Sequence, residues 1–116
     1  MDIERIREFC LSLPHATEDV KWKKDLTFCV GEKMFTVVGL EPDVCVISFK
    51  CTPEEFAELT ERPGIIPAPY AARYKWVALE KFDALPDDEL KLYIKRSYSL
   101  VFEKLPKKLQ SQLEEK

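Results

Sequence analysis

Glycine is scarce in this chain: Gly31, Gly39 and Gly64 are its only three, and no two are neighbours. That excludes the glycine-rich loops that cradle phosphates, and neither a G-x-G-x-x-G nor a Walker pattern occurs. Histidine is scarcer still. His15 stands alone, and the four cysteines, at 10, 29, 45 and 51, form no C-x-x-C pair, so no metal-ligand set and no cofactor is expected. The cysteines read as buried, reduced, inert thiols, because free cysteine packs as a small hydrophobe. No long apolar run is present and the start, Met-Asp-Ile-Glu-Arg, is acidic, so neither a secretory signal nor a membrane span is predicted and the cytoplasm is the expected location. A nucleophile motif of the G-x-S-x-G kind is missing too. His15 with Glu18 and Asp19 could form an acid–base group, but a polar turn residue is the plainer reading, and an enzyme is not expected.

What is present is core material and unevenly placed charge. With 46% hydrophobic residues, 116 residues suffice for one domain, 1–116, with a real core and no staples. The net charge of −3 argues mildly against nucleic acid. Its distribution does not: residues 1–61 carry 7 Lys and Arg against 13 Asp and Glu, whereas residues 62–116 carry 11 against 8. From Lys91 to Lys108 the cations Lys91, Lys95, Arg96, Lys104, Lys107 and Lys108 face only Glu103. An acidic domain can thus present one basic face.

Ile3, Ile6, Phe9, Cys10 and Leu13 make the stripe of an amphipathic helix that ends at Leu13-Pro14. Residues 15–22 have no clear period and predict an irregular connection tucking Trp22 against the core. Leu26–Val30 and Met34–Val38 alternate around Gly31-Glu-Lys33 as a hairpin. Val44–Lys50 is a third strand, with Cys45, Ile47, Phe49 and Cys51 on the core face. Thr52-Pro-Glu-Glu55 opens a short helix with a capping box. Pro63, Pro67 and Pro69 exclude a helix interior or a central strand and predict an ordered surface loop. Trp76–Glu80 resumes the strand period, paired with a piece near Tyr70 to Tyr74. Leu85-Pro-Asp-Asp-Glu89 opens the longest helix, whose inward stripe is Leu90, Ile94, Ser97, Tyr98, Val101 and Leu105. Lys107–Lys116 is a weak terminal helix. The series α-β-β-β-α-β-β-α predicts an α+β two-layer sandwich, an antiparallel sheet with helices on one face.

These pieces, in this order, resemble the MmcQ/YjbR family of small bacterial proteins. Leu13-Pro14 with Glu18 matches its Leu-Pro-Gly-x-x-Glu opening, with His15 where the family usually has Gly. Phe28–Gly31 with Lys33-Met-Phe35, then Pro67-Ala-Pro-Tyr70 with Trp76-Val77, and Ser97-Tyr98 with Leu100-Val101 match its glycine turn, proline loop, tryptophan strand and last helix. The resemblance implies a fold similar to secretion-chaperone-like domains and a DNA-binding role through a double-wing arrangement of hairpins. It implies no catalytic residues.

DNA binding needs cations to displace counterions, and single strands also reward aromatic platforms. Arg73, Lys75, Lys95, Arg96, Lys104, Lys107 and Lys108, with Tyr70 and Tyr74, supply both if they share a face. The plainer reading has Lys104, Lys107 and Lys108 as solvated cations at a helix terminus and Trp76 as core. The alternative function is a protein-interaction or homodimer module on an open sheet face showing Thr27, Cys29, Val44, Val46 and Ser48. Ser97-Tyr98 is read as a packing pair, with Tyr98 bridging core and surface.

Overall fold

The computed structural model describes residues 1–21, 24–40, 46–69 and 71–114. Trp22, Val44, Cys45 and Tyr70, which the sequence reading used, lie outside the described residues. The first helix, α1 (Ile3–Ser12), starts where the Asp2 carboxylate accepts the Arg5 N–H at 2.9 Å, and it buries Ile6 and Cys10. Strands β1 (Thr17–Lys21), β2 (Asp25–Val30), β3 (Lys33–Gly39) and β4 (Ile47–Lys50) follow, then α2 (Pro53–Leu59). The predicted capping box is in place, Thr52 Oγ1 accepting from Glu55 N at 3.1 Å and Glu55 Oε1 from Thr52 N at 3.0 Å. After β5 (Ile65–Pro67) and β6 (Trp76–Leu79) come α3 (Asp87–Glu103) and α4 (Lys107–Glu114).

The strands form one antiparallel sheet in the order β1-β2-β3-β4-β6-β5. One face, carrying Phe28, Val30, Val38, Ile47, Phe49, Val77 and Leu79, packs with Ile6, Cys10, Leu59, Leu90, Ile94 and Val101 from the helices. The α+β architecture with helices on one face is therefore the one expected, with a fourth strand before α2. β1 replaces the irregular connection predicted after α1. Among the described residues it pairs only with β2, and Thr17 to Val20 are all exposed, so it has no buried side to write an alternation into the sequence.

β6 pairs with Ile65–Pro67 rather than with residues near Tyr74; Ala72–Tyr74 is a single 3-10 turn. The proline loop thus contains a strand, and it is an edge strand, the one place where Pro67 can lack an N–H without breaking a ladder on both sides.

Two residues of α3 fix the helix to the sheet. In β3, Phe35 has no partner, because Phe28 faces Thr36 while Cys29 faces Met34. The Ser97 hydroxyl, fully buried, enters this bulge: it donates to Phe35 O at 2.6 Å and accepts from Lys50 N at 2.9 Å. Tyr98 stacks edge-on to Phe35 at 5.4 Å and donates its hydroxyl to Pro14 O at 2.6 Å. That bond holds the turn where His15 adopts a left-handed φ of 61°, a conformation that favours glycine. The Ser97-Tyr98 pair is thus explained as a clamp, Ser97 to the sheet and Tyr98 to the turn leading into β1.

On the face away from the helices, alternation places Thr27, Val37, Ser48, Ala78 and Ile66 in one cross-strand row. Thr27 and Cys29, expected to be exposed there, are buried. They are small residues on a strand flanked on both sides by neighbours, and Thr27 donates to Asp19 O of the adjoining edge strand at 3.0 Å. Val46 and Ser48 are half-buried.

Candidate nucleic-acid interface

Chain direction gives the sheet two ends of different charge content: carboxylates with Arg5, Lys24 and Lys81 at one, lysines with Glu32, Glu54, Glu55 and Glu103 at the other. At one end lie the start of β2 at Asp25, the end of β6 with Glu80 and Asp83 beyond it, and the first turn of α3 with Asp87, Asp88 and Glu89. The α-amino group of Met1 pairs with Asp87 there at 2.8 Å. At the other end β4 finishes at Lys50, directly opposite the first residue of β6, Trp76. Cys51 N, one residue further, bonds Lys75 O at 2.9 Å. The β2–β3 hairpin turns at this same end. A Cβ built on Gly31 would lie 2.7 Å from Leu105 and 3.2 Å from Leu109, so the chain leaving α3 passes over the turn. Lys104 at the end of α3, and Lys107 and Lys108 in the first turn of α4, therefore belong to this end as well.

The sequence-predicted cations meet different fates. Arg96 is engaged, its guanidinium 2.7 Å from Glu55 and 5.7 Å from the centre of the Tyr93 ring. The Lys75 ammonium lies 5.1 Å over the Phe56 ring. Arg73 stacks on Tyr74 at 4.8 Å and donates to its hydroxyl at 2.6 Å. Lys95, Lys104, Lys107 and Lys108 are exposed. Lys104 caps α3 where the helix dipole favours a cation, but Lys107 and Lys108 stand at the start of α4 where it does not, contrary to the reading that a helix terminus welcomes all three. Among the described residues, none of Lys50, Lys75, Lys95, Lys104, Lys107 and Lys108 pairs with a carboxylate.

Two residues of this end escaped the sequence reading. Lys50 is half-buried; desolvation lowers its pKa from the ordinary lysine value, and the like charge of Lys104 lowers it further. Trp76 is half-buried on the face away from the described helices rather than packed in the core. Its position could have been found from the alternation with Val77 once the core face of β6 was assigned.

Elsewhere the reactive side chains are spoken for. Burial pushes the thiols of Cys10 and Cys51 up to about 12, which leaves them protonated and non-nucleophilic at neutral pH. Glu18, one member of the His15 grouping, holds Arg7 in a bidentate pair at 2.7 and 2.8 Å, and that hydrogen-bonded guanidinium lowers the pKa of Glu18. No helix among the described residues is long and apolar enough to cross a membrane.

A family model, YjbR, matches residues 11–100. Among solved structures, the chain is similar to protein DR2400 of Deinococcus radiodurans, described by the domain DUF419, at 27% identity and a TM-score of 0.86, covering 97% of this chain and 87% of that one. It is similar in fold to a protein from Pseudomonas syringae at 21% identity and a TM-score of 0.71, covering 87% of this chain and 99% of that one. No curated protein matches it.

Proposed function

The chain belongs to the YjbR family, and from that premise we propose that it is a binding module whose ligand is nucleic acid, held at the basic end of the sheet without a catalytic step. One observation carries the reading. In a chain with net charge −3, the topology gathers Lys50, Lys75, Lys104, Lys107 and Lys108 at one end, unpaired with any described carboxylate. Surface lysines are ordinarily balanced by nearby carboxylates in an acidic protein. Lys50 is partly desolvated and feels the like charge of Lys104, both of which a bound polyanion would offset. Glu32, Glu54, Glu55 and Glu103 adjoin this end in sequence, and Glu55 is occupied by Arg96.

The test is fluorescence anisotropy of labelled oligonucleotides titrated with the protein across a salt series. Binding that falls linearly in log K against log salt, and that weakens when Lys104, Lys107 and Lys108 are reversed to Glu in a folded variant, supports the proposal. Affinity unchanged by the triple reversal refutes it.

A further inference from the structure

We infer that the form of nucleic acid this end takes is single-stranded, laid along the basic end of the sheet with its bases on Trp76 and Tyr74. The inference rests on the nucleic-acid reading of the basic end and goes on to name the ligand's form. Trp76 and Lys50 are cross-strand partners at positions that alternate with the buried Val77 and Phe49, so a ring and a cation stand opposite one another at the basic end. The next pair in that alternation, Ala78 and Ser48, is small, and Ala78 is fully buried. The ring of Trp76 is thus the large side chain at this corner of the sheet.

Tyr74 lies in the 3-10 turn that leads into Trp76. It is 53% exposed, and Arg73 holds its ring from one side by stacking and by the hydrogen bond to its hydroxyl. The two rings, Tyr74 beside Arg73 and Trp76 opposite Lys50, offer faces next to cations. Faces of this kind reward only unstacked bases; a duplex hides its base faces and asks for a helix or ribbon that enters a groove. The hairpin at this end is poorly placed to enter one, since Leu105 and Leu109 back its turn at Gly31.

The experiment compares a labelled oligothymidine with a duplex of equal length at low salt, for the wild type, Tyr74→Ala and Trp76→Leu, with circular dichroism to confirm folding. The single strand is expected to bind at least about tenfold tighter, and each substitution to weaken it by about fivefold to a hundredfold while leaving the weaker duplex binding unchanged. Should Trp76→Leu unfold, Tyr74→Ala, at an exposed position, carries the test alone. Equal affinity for both forms, insensitive to Tyr74→Ala, overturns the single-strand inference and leaves the basic end standing if the salt dependence persists. Absence of binding to either form at low salt removes the reading on which the inference rests.

Discussion

Replacing Ser97 with alanine removes one oxygen atom and leaves two backbone groups without partners. The Phe35 carbonyl sits in the β3 bulge and the Lys50 N–H at the end of β4; both bond to the Ser97 hydroxyl, which is inaccessible to water. An unsatisfied buried polar group costs about 1–3 kcal/mol, so the pair should cost about 2–6 kcal/mol. Domains of this size are stable by only about 5–15 kcal/mol, which makes the loss a large fraction of the whole. With an unfolding entropy of about 2.1 cal/mol/K per residue, each kcal/mol lowers Tm by about 4 °C here, and the expected drop is about 8–24 °C. Thermal and urea denaturation followed by circular dichroism measure it, with the exposed Ser99→Ala as the control, expected within about 0.5 kcal/mol of the wild type. If Ser97→Ala melts with Ser99→Ala, the clamp does not contribute as argued.

The turn after α1 predicts the opposite sign: His15→Gly relieves a left-handed φ of 61° and should raise stability by about 0.5–1 kcal/mol in urea denaturation, less any entropic cost of glycine. At the hairpin, Gly31→Ala should destabilise by about 1–3 kcal/mol, since φ is 56° and the new methyl would meet Leu105 at 2.7 Å; hydrogen exchange should show the extra loosening in α4. Cys10 and Cys51, with burial pushing their pKa up to about 12, hold roughly one thiolate in ten thousand at pH 8, so iodoacetamide followed by peptide mass spectrometry should leave both unmodified in the native protein and label both in urea.

The elements that bury a face could be read from the sequence, because burial imposes a period. Ile47, Phe49 and Cys51 alternate with Ser48 and Lys50, and the structure buries the first set. Leu90, Ile94, Ser97 and Val101 recur at helical spacing and are buried in α3. β1 could not be read this way: an edge strand with Thr17, Glu18, Asp19 and Val20 all exposed is specified by its pairing to β2, a long-range choice that leaves no local pattern. β5 hid among prolines for a related reason, being only three residues long.

The candidate site was legible as a list of cations but not as a place. Whether Lys104 neighbours Lys50 depends on how α3 crosses the sheet, and whether Trp76 is core or surface depends on register; both are tertiary facts. The clamp residues were visible as an adjacent Ser97-Tyr98, yet their partners, Phe35, Lys50 and Pro14, lie 47 to 84 residues away along the chain. A local rule could not have joined them.

The central claim is that binding cations cluster at one end of the molecule, and the salt dependence of two charge-neutralised variants tests it most directly. One variant carries Lys50→Gln, Lys104→Gln and Lys107→Gln at the basic end; the other carries Arg5→Gln, Lys24→Gln and Lys81→Gln at the acidic end, so both lose the same three charges. The account predicts that the first lowers the slope of log K against log salt by about 2 for a single strand, while the second leaves the slope as in the wild type. Equal losses from both ends would mean diffuse attraction rather than a site, and would contradict the account.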